Sequence, residues 1–317
     1  MEYIKLGHSD LKVSRICFGC APMGGYDYGD VDDGESIHSV LCALDNGVNF
    51  FDTAAIYGFG HAESVLGRAL SGRRGSAIIA TKGGLRKAAN KIIPDLSPEF
   101  LRSDLESSLR RLGTDCIDLY QLHYLDPDVP AEKYAVLLND FLCQGKIRFV
   151  GLSNFSKESS LIVNEVLPVA CVQLPYNLLQ RSLESRGIPD FCVDKHVGLI
   201  TYSSLARGYL TGKKYTREDF KGSDTRARSS YFSADSETVR LPVTAALNEA
   251  AAMHSKTQAQ TALRWLLDKP FVSSVIVGIK GDAQILEAVN SCHWNLDPKA
   301  SRTLDAVSQP FMENPLY

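Results

Sequence analysis

Apolar residues in this chain fall into short runs, and between those runs they recur at helical spacing. Strand-like runs lie at 15–19, 48–52, 77–82, 116–123, 146–153, 171–175, 198–203 and 274–277. Helical stretches separate them. Ser97-Pro98-Glu99 predicts one helix start, because serine caps the free N–H groups and proline is tolerated in a first turn. Leu101, Leu105, Leu109 and Leu112 then follow on one helical face. Ser156-Lys157-Glu158 resembles a second start. Ahead of the alternation, Tyr3-Ile4-Lys5 and Lys12-Val13-Ser14 predict a short hairpin joined through a turn at Gly7.

Eight strands alternating with helices are the count for an α/β chain folded as a (β/α)8 TIM barrel, a single domain over 1–317 with an N-terminal β-hairpin. A doubly wound open sheet is the rival, but Gly19-Cys20-Ala21-Pro22 does not supply the glycine fingerprint after its first strand. Gly58-Phe59-Gly60 begins like that fingerprint yet ends on Glu63, and reads as a flexible loop after the second strand. The long loop after strand 7, 206–236, departs from a minimal barrel. From Arg207 to Arg228 it carries seven basic residues (Arg207, Lys213, Lys214, Arg217, Lys221, Arg226, Arg228) against the acidic Glu218, Asp219 and Asp224. Charge alone would make it a solvated surface loop; its place beside the strand 7–8 phosphate region of such barrels suits a phosphorylated ligand.

Composition narrows the partners. A net charge of -3 with a pI near 6.2 gives no reason to expect nucleic acid or an anionic membrane. No apolar run approaches the roughly 18 residues of a membrane span, and Met1-Glu2-Tyr3-Ile4-Lys5 lacks the apolar core of a signal peptide. The eight cysteines sit mostly inside apolar runs, as reduced core residues of a cytoplasmic protein do. Cys17-Phe18-Gly19-Cys20 has CxxC spacing, but no second such pair or spaced histidines complete a metal site, so no metal is expected. Neither a monomer nor a homo-oligomer is specified.

The chemistry gathers at strand ends. Asp52, Lys82 and His123 end, or just follow, three consecutive strand-like runs, and Tyr57 lies five residues past Asp52. Parallel neighbours about 4.8 Å apart open all three ends onto one face. Singly, each has a dull explanation: a cap, a surface lysine, a core histidine, a packed tyrosine. Together they predict a proton-transfer site. A lysine in the lumen needs an anion, and Asp52 is one strand away. The Lys82 cation would favour the phenolate of Tyr57 and bring its proton into play, while His123 would orient a carbonyl oxygen. The group lacks a reductant, so electrons must come from a cofactor.

Phe51-Asp52-Thr53-Ala54-Ala55-Ile56-Tyr57-Gly58 resembles the signature of the aldo-keto reductase family, and Ala80-Thr81-Lys82 and Asp118-Leu119-Tyr120-Gln121-Leu122-His123 are similar to its lysine and histidine strands. Gly151-Leu152-Ser153-Asn154-Phe155 and Val172-Gln173-Leu174-Pro175-Tyr176-Asn177 match further blocks in the same order. Within the family the chain looks most like the bacterial branch of inositol-operon and general-stress reductases, through Ser97-Pro98-Glu99-Phe100-Leu101 and Val277-Gly278-Ile279-Lys280. The resemblance implies hydride transfer between NADP, with NAD as the lesser choice, and a small aldehyde, ketone, sugar or polyol. Tyr57 would be the general acid, tuned by Lys82 and Asp52, with His123 orienting the substrate. Ser153, Asn154 and Gln173 would hold the carboxamide and Tyr202 would stack on the nicotinamide. Ser203, Leu205, Gly208, Leu210 and Lys213 would fold over the pyrophosphate, with Arg226 facing the cofactor. Gly278, Lys280 and Gln284 would lie near the adenosine 2'-phosphate, and Gly19 and Cys20 complete the cofactor set.

Three positions depart from the family pattern. Val277 stands for its usual proline, Gly281 for a common basic residue and Ala288 for an adenine-binding asparagine. Lys280 and Arg226 must therefore serve the 2'-phosphate with less help. Two other readings use the same residues: a slow redox-sensing or channel-associated subunit of this fold, and a Schiff-base aldolase with Lys82 as nucleophile. Tyr26, Tyr28, Tyr124 and Tyr231 are candidate walls of the substrate pocket.

Overall fold

A computed structural model describes residues 1–25, 29, 31–89, 91–215, 219–220 and 224–316. Of the expectations above, those on Tyr26, Tyr28, Arg217, Glu218 and Lys221 lie outside the described residues.

Eight parallel strands close into a barrel: β1 (Ile16–Gly19), β2 (Phe50–Asp52), β3 (Ile78–Gly83), β4 (Ile117–Leu122), β5 (Ile147–Ser153), β6 (Cys171–Pro175), β7 (Gly198–Tyr202) and β8 (Val272–Gly278). Each pairs with its sequence neighbours, and β8 closes on β1. This is the (β/α)8 barrel that the alternation predicts. Two apolar layers hold it. Alternate strand residues such as Cys17, Phe50, Ala80, Leu119, Cys171, Ile200 and Ile276 fill the lumen. The other face, with Phe18, Phe51, Ile79, Tyr120, Val150, Val172 and Leu199, packs under the surrounding helices.

The N-terminal hairpin, Tyr3–Lys5 against Lys12–Ser14, is antiparallel as expected. Its Leu6, Leu11 and Val13 join the lumen cluster and stopper the end of the barrel where the strands begin. Ligands are thereby left the opposite mouth.

The helix Pro98–Leu112 starts where the sequence places it, with the Ser97 hydroxyl accepting from Phe100 N–H, and its four predicted leucines are buried. The helix Lys157–Val166 is capped by Ser156 in the same way. The long loop ends at Ser236, where the helix Glu237–Met253 begins.

The structure departs from expectation at Gly58-Phe59-Gly60, which is no flexible loop, and at Tyr231, and it adds a hairpin after β3. That hairpin pairs Leu85–Ala88 antiparallel with Lys91–Pro94. Gly58-Phe59-Gly60 is a tight 3-10 turn with all three residues at positive φ. A side chain at Gly58 would stand 2.3 Å from the Gly24 carbonyl oxygen, so close backbone contact fixes the turn. Tyr231 is no pocket wall. It is fully buried and its hydroxyl accepts from Asn177 Nδ2 at 3.2 Å.

Candidate active site

Asp52, Lys82 and His123 stand at adjacent strand ends of the open mouth. The Tyr57–Gly60 turn begins five residues past β2 and brings Tyr57 back over them. Lys82 Nζ donates to Asp52 Oδ1 at 2.5 Å and to the Thr53 carbonyl at 3.0 Å, and stands 3.4 Å from the Tyr57 hydroxyl. It also lies 5.1 Å from the centre of the Tyr57 ring. The Tyr57 and His123 rings meet edge to face with centroids 6.0 Å apart, and the Tyr124 ring stacks on that of His123 at 5.6 Å. The structure thus brings together all four residues named from the sequence.

The electrostatics follow from burial and pairing. Burial works against the Lys82 ammonium, but the Asp52 carboxylate and then Tyr57 outweigh it and hold its pKa above the usual lysine value. A protonated, ion-paired amine is a poor Schiff-base nucleophile. His123 is pushed the other way, well below its ordinary pKa, by burial first and then by the Lys82 cation. Both effects favour the neutral imidazole. Its buried Nδ1 has no hydrogen-bond partner, which suits a tautomer carrying the proton on Nε2.

Asp52 is held from a second side. Its Oδ2 accepts from Gln173 Nε2 at 2.7 Å and from Gln121 Nε2 at 3.2 Å. Next to this lies an amide and hydroxyl cluster on β5 to β7. Asn154, at positive φ, donates through Nδ2 to the His123 carbonyl at 3.1 Å and to Ser153 Oγ at 3.0 Å. The Tyr202 hydroxyl donates to Asn154 Oδ1 at 2.7 Å. Ser153, Asn154, Gln173 and Tyr202 are therefore contiguous with the catalytic candidates.

Farther along the mouth, Ser203, Ala206, Arg207 and Gly208 turn the chain through positive φ. Leu205 is half-buried, Lys213 is exposed, and the space above Gly208 is open. Leu210 is buried in the core and its N–H donates to the Leu205 carbonyl, so it anchors this loop. Gly19 and Gly278 are register partners across β1 and β8, and Cys20 N–H donates to the Asp52 carbonyl at 2.8 Å. Arg226 grips Asp224 at 2.6 Å and lies 4.5 Å from the centre of the Phe220 ring. Lys280, whose N–H donates to Gln284 Oε1 at 2.7 Å, has its pKa lowered by burial and then by the Arg226 cation. Arg226, Asp224 and Lys280 thus lie within electrostatic reach of one another.

A model of the Aldo/keto reductase family matches residues 15–309. The chain belongs to the aldo/keto reductase family. Among its relatives is the Bacillus subtilis aldo-keto reductase YhdN, 33% identical over 319 residues that cover 100% of this chain and 96% of the relative. Aldo-keto reductase yakc [NADP(+)] of Schizosaccharomyces pombe is 32% identical over 262 residues, 80% of this chain and 76% of that protein. The structure of the glycerol dehydrogenase AKR11B4 from Gluconobacter oxydans superposes with a TM-score of 0.88 at 32% identity, covering 99% of this chain and 97% of that one.

In this aldo/keto reductase the CxxC cysteines belong to separate layers, Cys17 in the lumen and Cys20 among the helices. Burial, then Asp52, pushes both thiols well up, so neither is a ready thiolate. Among the described residues no group of three or more His, Cys, Asp or Glu can hold a metal ion, and no helix is long and apolar enough to cross a membrane. Sequence reasoning assigned no role to Gln121. The available signal was an amide two residues before His123, on the same face of an otherwise apolar strand.

Proposed function

We propose that the protein is an NADP-dependent carbonyl reductase of the cytoplasm in which Tyr57 is the general acid. The observation that most supports this is the Tyr57 hydroxyl 3.4 Å from an ammonium that Asp52 keeps charged. A carbonyl oxygen seated between Tyr57 and His123 would receive a hydrogen bond from each. When bound, the dinucleotide supplies the hydride. Tyr57 transfers its proton to the oxygen as negative charge grows there, and the Lys82 cation stabilises the phenolate left behind. His123, being neutral, donates through Nε2 without competing as an acid.

Ser153, Asn154, Gln173 and Tyr202 would hold the nicotinamide end, and Arg226 and Lys280 the 2'-phosphate. The cationic pair favours NADP over NAD. Run backwards, the same groups would oxidise an alcohol, with the Tyr57 phenolate as base. The relative named a glycerol dehydrogenase makes small polyols a reasonable substrate class for that direction. A screen of aldehydes, ketones, sugars and polyols with each nicotinamide cofactor, in both directions, tests the proposal. Multiple turnovers with NADPH and at least one carbonyl are the expected result. Oxidation of one equivalent of bound NADPH and no more would favour a redox-sensing subunit instead.

A further inference from the structure

We infer that Gln121 is a positioning residue that ties the Asp52–Lys82 ion pair to the amide of Gln173. The inference rests on the dinucleotide reading given above. Gln121 is wholly buried in the lumen, on β4, in register with Lys82 of β3 and Gly151 of β5. Its Nε2 donates to Asp52 Oδ2 at 3.2 Å, and its Oε1 accepts from Gln173 Nε2 at 3.2 Å. Space for this reach is left by Gly151, where a side chain would meet Gln121 Cγ at 3.0 Å and Cys171 Sγ at 2.8 Å.

The hydrogen-bond inventory fixes a direction. Gln173 has two amide hydrogens, and both are committed inward, one to Asp52 Oδ2 and one to Gln121 Oε1. Turning the amide over would set its oxygen 2.7 Å from a carboxylate oxygen, acceptor against acceptor. Gln173 therefore presents its Oε1 to the mouth, an acceptor suited to the –NH2 of a carboxamide. Gln121 also offsets part of the Asp52 charge. Without that donor, Asp52 opposes the Tyr57 phenolate more strongly, and the phenol becomes a weaker acid.

The test uses the full-length parent, Gln121→Leu, and each of these with Tyr57→Phe added, so that the Tyr57 phenolate absorbance is obtained by difference. Kd values for NADP and for 2',5'-ADP, which lacks the nicotinamide, are measured alongside. Gln121→Leu should move the Tyr57 titration up by about half a pH unit or more. It should weaken NADP about five-fold, the worth of one hydrogen bond, and leave 2',5'-ADP within about two-fold. An unmoved titration, or equal losses for both nucleotides, would overturn the inference. If the parent binds neither nucleotide, the dinucleotide reading fails and the titration alone decides the role of Gln121. Gln121→Asn, which keeps the amide but shortens its reach, should show the same signs and replaces Gln121→Leu if that variant does not fold.

Discussion

Lys82 stands between two costs at the residue scale. Its ammonium is 1% exposed, so removing its charge partner or the ammonium itself leaves an uncompensated ion in the lumen. Lys82→Met should destabilise the fold by about 3–5 kcal/mol, toward the lower end because Gln121 and Gln173 still donate to Asp52. Chemical denaturation measures this; a loss below about 1 kcal/mol would mean that the pair behaves like a surface bridge. Lys280 makes a separate claim. Lys280→Ala should raise the Kd for NADPH about ten-fold, as expected for a charged hydrogen bond, and leave that for NADH nearly unchanged. Equal losses would remove the 2'-phosphate assignment. Asp52, Tyr57, Lys82 and His123 were legible because an acid, a phenol, an amine and an imidazole at strand ends are chemically conspicuous. Gln121 was not, because an uncharged amide in a strand carries no signal until its partners are known.

At the element scale, the hairpin over the mouth was missed for a physical reason. Its strands read Leu-Arg-Lys-Ala and Lys-Ile-Ile-Pro, none of them buried, so no apolar–polar alternation marks them. Lys87 nevertheless lies 5.0 Å from the centre of the Phe59 ring, joining the hairpin to the turn that carries Tyr57. The base of the hairpin is tied down by Asp104, whose Oδ2 accepts from Gly84 N–H at 3.0 Å. Burial, offset in part by that bond and reinforced by Glu63, pushes the Asp104 pKa up to about 6 from 3.8. The folded state therefore holds this proton more tightly than the unfolded chain. The Asp104 contribution to stability is most favourable below the unfolded value and is lost as pH rises through about 6. Asp104→Asn, which removes the charge and keeps an acceptor for Gly84, should have a higher Tm than the parent at pH 8. The difference should shrink on acidification and vanish near pH 4. A difference that is the same at both ends of this range would contradict the burial argument. Helix starts were easier to read, since Ser97-Pro98 and Ser156 act locally and need no tertiary partner.

At the scale of the whole molecule, the barrel was legible because its strands are short apolar runs, each followed by a helix. Parallel closure then places every strand end at one mouth, which turns scattered sequence positions into neighbours. The 206–236 loop resisted the same reasoning. Its 3-10 turns and buried aromatics, Tyr231 and Phe232 among them, are set by packing with no repeating period. The central claim concerns one proton. Steady-state kcat with NADPH and the best carbonyl from the substrate screen, set beside the NADPH Kd, should be compared between the parent and Tyr57→Phe. Turnover should fall by at least about a hundred-fold, with the Kd unchanged within about two-fold. A Tyr57→Phe protein that turns over at a near-parental rate would contradict the account.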